Sequence, residues 1–177
     1  DRPIVADGAW GTQLALRGLG SDIPEAWNLT HADRVAAIAA DYATACADIV
    51  LTNTFGGSAV KLGKAKLEGH DEINRVGVEL SKRGAAGQAS VVASVGPTGE
   101  LSGLTSTLSE DDLRDVFSRQ VAAILQGEPD GIVIETMADL TEARLALEAT
   151  RALTDLPVAV CMTYDEGARG PATMMGI

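Results

Sequence analysis

Residues 130–137, DGIVIETM, restrict the fold of this chain more than any other stretch. Gly131, Ile132, Val133 and Ile134 form an apolar, β-branched run too brief for a helix. They read as a strand buried on both faces, as in a parallel sheet. Glu135 ends the run. Burying a lone carboxylate is costly, so a Glu here is paired, set at a solvent-facing rim, or placed for a cationic ligand. Asp139 can cap a helix over 139–153, with Glu142 at the capping-box position three residues on and Leu140, Ala143 and Leu147 as its apolar face. Strand, carboxylate, turn and amphipathic helix make one βα unit, and ligand chemistry in α/β folds gathers at the carboxyl ends of strands.

The pattern repeats. Further strands are expected at 3–6, 48–52, 90–95 and 156–163, and further helices at 13–20, 30–46, 71–83 and 109–126. Thr30 is a candidate cap for the second helix, whose stripe of Val35, Ile38, Ala39, Tyr42 and Cys46 places Cys46 in the core. Ser109 and Asp112 form a second capping box, ahead of Leu113, Val116, Phe117, Val121 and Ile124. Residues 21–29 read as a loop anchored by Trp27, 61–68 as a charged segment, and 101–107 and 164–172 as loops.

Five strands alternating with helices at intervals of about 25 to 45 residues indicate a parallel sheet, closed into a barrel or left open. No GxGxxG follows the first strand. Gly57 followed by Gly63-Lys64 does not make a phosphate-binding loop either, because the spacing is one residue too long and Ala65 replaces the required hydroxyl. Instead each strand ends in polar or glycine residues: Asp7-Gly8, Thr52-Asn53-Thr54, Gly96-Pro97-Thr98, Glu135-Thr136 and Thr163. Convergent polar strand ends are the layout of a (β/α)8 TIM-barrel site. The expected class is therefore α/β, with about five βα units present.

An apolar share of 46% supports a packed core, while a net charge of −11 disfavours nucleic acid and anionic membrane surfaces. No apolar run approaches the roughly 18–20 residues that cross a bilayer, and the first residues lack a signal pattern. A cytoplasmic location is the expectation. Cys46 and Cys161 lack CxxC spacing, and His31 and His70 make no HExxH pair.

With the strand ends in order, the chain resembles the homocysteine S-methyltransferase family. The matching strings are DGAWGTQL at 7–14, PEAWNLT at 24–30, ADIVLTNTFGG at 47–57, SVGPTGE at 94–100, IETMADLTEA at 134–143 and MTYDEGARGPATMMG at 162–176. The resemblance implies one barrel domain over 1–177 that binds homocysteine at its C-terminal mouth, with the thiolate held on Zn²⁺ for attack on an activated methyl group. It places Asp7, Gly8 and Ala9 near the amino acid's backbone end, Thr52, Asn53 and Thr54 along the pocket, and Glu135 against the ammonium. Homocysteine is zwitterionic, so its site should offer a carboxylate and turned backbone donors, which Glu135 and Gly8-Ala9 can supply.

The family's three zinc cysteines have no match here, and the resemblance implies that they lie beyond Ile177. Cys161 and Cys46 correspond to none of them, so no metal ligand and no catalytic residue is assigned within the chain. The expectation is that these residues are part of a longer chain, or that a partner chain completes the barrel, and that alone they are inactive and unstable or self-associating. The methyl donor implied is methylcobalamin, betaine or S-methylmethionine. A corrinoid demethylation enzyme with another acceptor and a non-catalytic half-barrel binding module are the alternatives.

Overall fold

A computed structural model describes residues 2–100, 108–167 and 170–173. The expected 101–107 loop, the end of the 162–176 string and Ile177, past which the zinc cysteines are expected, lie outside the described residues. Four apolar runs form one parallel sheet in sequence order: β1 (Ile49–Leu51), β2 (Ser90–Val95), β3 (Gly131–Met137) and β4 (Val158–Met162). A doubly wound sheet would reverse its order partway, whereas sequential parallel neighbours build the wall of a barrel. The helices α3 (Ala32–Thr44), α5 (His70–Ala85), α6 (Glu110–Leu125) and α7 (Leu140–Leu153) cover one face.

The two-residue period of a strand decides what each face carries. Ala93, Val95, Ile132 and Ile134 lie under the helices, packed with Phe117, Val121, Ile124, Ala143, Ala146 and Ala149. Val50 and Val91 do the same against Ala39, Ala43 and Ala85. Ser94 and Glu135, one residue out of phase, fall on the barrel side. The predicted capping box of α6 is present: Asp112 N–H donates to Ser109 Oγ (3.1 Å) and Ser109 N–H to Asp112 Oδ2 (2.9 Å). No helix among the described residues is long and apolar enough to cross a membrane.

Several expectations are corrected. Residues 3–6 make a single parallel bridge, Ala6 to Ile49, rather than a strand, with Asp48 and Ile49 N–H donating to Val5 O. Pro3 has no N–H, and Ile4 and Val5 stay 74% and 51% exposed, so only one side of this segment is paired. Asp48 fastens it by accepting from Val5 N–H (2.9 Å) and pairing with Arg2, whose guanidinium holds the Asp48 carboxyl down to about 2. The first helix is earlier and shorter than expected, α1 (Trp10–Leu16), and α4 (Ala59–Lys64), capped by Ser58, takes in the first half of the charged 61–68 segment. Within the polar 164–172 stretch, β5 (Asp165–Gly167) and β6 (Gly170–Ala172) form an antiparallel hairpin.

Three side chains also depart from expectation. Thr30 ends the short α2 (Trp27–Thr30), its hydroxyl donating back to Ala26 O, and α3 starts after His31 with no side-chain cap. Cys46 is exposed with φ +67°, because α3 stops at Thr44 and the chain turns left-handed to enter β1. Asp139 caps α7 at Thr141 N–H, but Glu142 turns inward instead of closing a capping box, and Leu140 is 52% exposed.

Candidate functional site

The carboxyl ends of β1, β2 and β3 converge with the turn at Gly8 on a cavity of about 250 Å³. That volume admits a small amino acid. Gly8, Ala9, Thr52, Asn53 and Glu135 line it, together with Trp10, Glu25, Phe55 and Ser94. Asp7 and Thr54, expected at the same site, stand behind this lining.

Asp7 ties the first turn to β1, its Oδ2 accepting from Leu51 N–H (2.7 Å) and from Trp10 Nε1–H (2.7 Å). Its Oδ1 is buried with no hydrogen-bond partner among the described residues. Burial pushes the Asp7 carboxyl up, the charge of Glu135 adds to this, and the Leu51 and Trp10 donors oppose it.

Thr52 and Thr54 form a proton chain beneath the cavity. Thr54 Oγ1 donates to Ser94 O (2.7 Å), so its single proton is committed and the 2.6 Å contact with Thr52 Oγ1 must be donated by Thr52. Thr52 Oγ1 in turn accepts from Ser94 N–H (3.1 Å). These bonds fix Ser94, whose hydroxyl donates to Glu135 Oε1 (2.6 Å) and leaves Oε2 for another donor. Glu135 has no salt-bridge partner among the described residues, so the paired reading is not the one realised there.

The turn after β1 is braced from below. Asn53 Nδ2–H donates to Pro24 O (2.7 Å) and Asn28 Oδ1 (2.8 Å), while Asn28 Nδ2–H donates to Asn53 O (2.9 Å). Glu25, 5% exposed, accepts from Gly56 N–H (2.6 Å), and a Cβ at Gly56 would lie 2.7 Å from Glu25 Oε1. Burial raises the Glu25 carboxyl, and the Lys61 ammonium, lying 4.7 Å above the Phe55 ring, partly offsets this. Glu142 accepts from Thr98 N–H (2.7 Å) and Thr98 Oγ1–H (2.5 Å), fastening the turn after β2 to α7.

Ser94 and Glu25 were not anticipated. Ser94 carried a signal: in SVVASV it shares strand phase with Ser90 and Val92, the face opposite the helix-covered valines. Glu25 carried none, since its role depends on Gly56 approaching from a distant turn. The donors expected of a zinc site are absent among the described residues: no three His, Cys, Asp or Glu groups come together to hold a metal, and Cys46 and Cys161 are both exposed. These residues do not fit the metal.

Among curated relatives, the chain is 32% identical to methionine synthase of Mycobacterium tuberculosis over 93% of its length and 31% identical to that of Mycobacterium leprae. It spans 15% of each of those proteins. It is 24% identical to homocysteine S-methyltransferase 1 of Arabidopsis thaliana and spans 60% of it. The fold is similar to the metallated form of the homocysteine methyltransferase MmuM from Escherichia coli, with a TM-score of 0.75 at 21% identity, covering 89% of this chain and 62% of that one. The homocysteine S-methyltransferase family model matches residues 4–176, so the chain belongs to that family, and its parallel sheet is part of the family's barrel.

Proposed function

We propose that this chain supplies the homocysteine-binding wall of an S-methyltransferase that makes methionine. The observation that carries the reading is Glu135, held on the cavity by Ser94 with one carboxylate oxygen uncommitted among the described residues. A cationic ammonium would take that oxygen, and the buried, unpartnered Oδ1 of Asp7 adds negative potential behind it. The substrate's carboxylate then lies toward the backbone of Gly8 and Ala9, with Thr52 and Asn53 along its side.

The described residues offer no ligand set for zinc, so the cysteines that hold it in this reading come from elsewhere in the complete enzyme. The methyl donor is methylcobalamin, betaine or S-methylmethionine. The test is calorimetric titration of the full-length protein with L-homocysteine, followed by assay of methionine formation with each donor. Binding and turnover with one donor support the reading. A folded protein that binds no L-homocysteine overturns it.

A further inference from the structure

The strand that delivers Glu135 is irregular where Glu135 emerges. Ile134 of β3 pairs with Val160 and Met137 with Met162, an advance of three residues against two, so β3 carries one extra residue. Thr136 follows Glu135 on the mouth side, exposed, with φ +62°. A β-branched residue is a genuine outlier in the left-handed region, and such strain persists only where the surroundings impose it.

The consequence is a change of phase. In an unbroken strand Met137 would share a face with Glu135, yet it is fully buried in the helix-side cluster with Ile132 and Ile134. The bulge keeps these apolar side chains in the core, Glu135 on the cavity, and Thr136 out at the mouth. Beyond the bulge the ladder resumes, with Thr163 N–H donating to Met137 O (2.7 Å).

We propose that Thr136, held left-handed in a one-residue bulge of β3, is a positioning residue that fixes the aim of the Glu135 carboxylate against Ser94. This rests on the ammonium contact proposed for Glu135. Threonine is stiff where glycine would let the flanking peptide planes turn, so strain is retained here together with a fixed direction.

The test is a double-mutant cycle on the full-length protein, with L-homocysteine affinity and melting temperature as readouts. Thr136→Gly should weaken affinity on the order of threefold to tenfold, with an unchanged or raised melting temperature and no further loss in the Glu135→Gln background. Thr136→Asn, which tolerates the left-handed region, should bind as the parent does. Parent-like binding by Thr136→Gly beside an impaired Glu135→Gln overturns the positioning role alone. So do additive losses, a loss in Thr136→Asn, or a lowered melting temperature that accompanies lost affinity. An unimpaired Glu135→Gln overturns the ammonium contact and this role with it.

Discussion

Glu135 and Glu142 are carboxylates seven residues apart in one βα unit, and the structure uses them differently. Glu135 keeps an oxygen open beside a cavity, so replacing it removes a charge that only a ligand would use. Glu135→Gln is expected to weaken L-homocysteine binding by about 1–3 kcal/mol, the loss of a charged hydrogen bond, with an unchanged thermal melt. Calorimetry beside a circular-dichroism melt checks both halves. Glu142 is buried, and desolvation raises its carboxyl, as does Asp139, while the Thr98 donors and Lys61 act the other way. Its folded form therefore holds a proton more tightly than the unfolded chain does. Ionisation subtracts stability as pH rises from the ordinary glutamate range through the folded value. Glu142→Gln keeps an acceptor for Thr98 and removes the charge. Its urea midpoint should exceed the parent's near about pH 8, with the difference shrinking toward about pH 4. A constant difference across that range would show that Glu142 does not titrate against folding.

At the scale of elements, the helix layer is set by close approach as much as by apolar stripes. Gly84 of α5 lies against α3, where an added Cβ would meet Ala36 O at 2.2 Å and Ala39 Cβ at 2.8 Å. Backbone cannot swing aside as a flexible side chain can, so Gly84→Ala should cost about 1–3 kcal/mol in chemical denaturation, with helix content retained. A neutral substitution would mean that α3 and α5 can separate without loss. The same contrast between stripe and approach separates what the sequence disclosed from what it withheld. The runs of β2 and β3 and the Ser109–Asp112 cap are local patterns and were readable. Of the polar strand ends, Gly8, Thr52, Asn53 and Glu135 line one cavity, whereas Thr98 and Thr163 do not. The bulge at Thr136, the inward turn of Glu142 and the brace from Glu25 to Gly56 depend on segments far apart in the chain, where periodicity carries no information. Cys46 continues the apolar stripe of α3 in the sequence but lies past the end of that helix, at Thr44, and is exposed.

On the scale of the whole molecule, the four-stranded sheet leaves its barrel-side face uncovered by helices and its edges unclosed among the described residues. A second concavity of about 620 Å³ lies at the amino ends of its strands, near Ile49, Ser90, Gly131 and Val158. Val160 of the outer strand β4 is 40% exposed, and Leu153 at the end of α7 is 44% exposed. An open edge next to apolar surface is a template for pairing with another chain, and barrel closure is what removes it. Opposing this is the net charge of −11, which keeps copies apart while salt is low. A polypeptide of these residues alone should therefore self-associate, and more strongly in salt approaching about 1 M, where the screening length falls to about 3 Å. Val160→Lys, which sets a charge on the edge, should lower the association measured by sedimentation at the same salt. Monomers throughout the salt range would mean that the uncovered face and edge exert too little attraction to join two copies even when charge repulsion has been screened away.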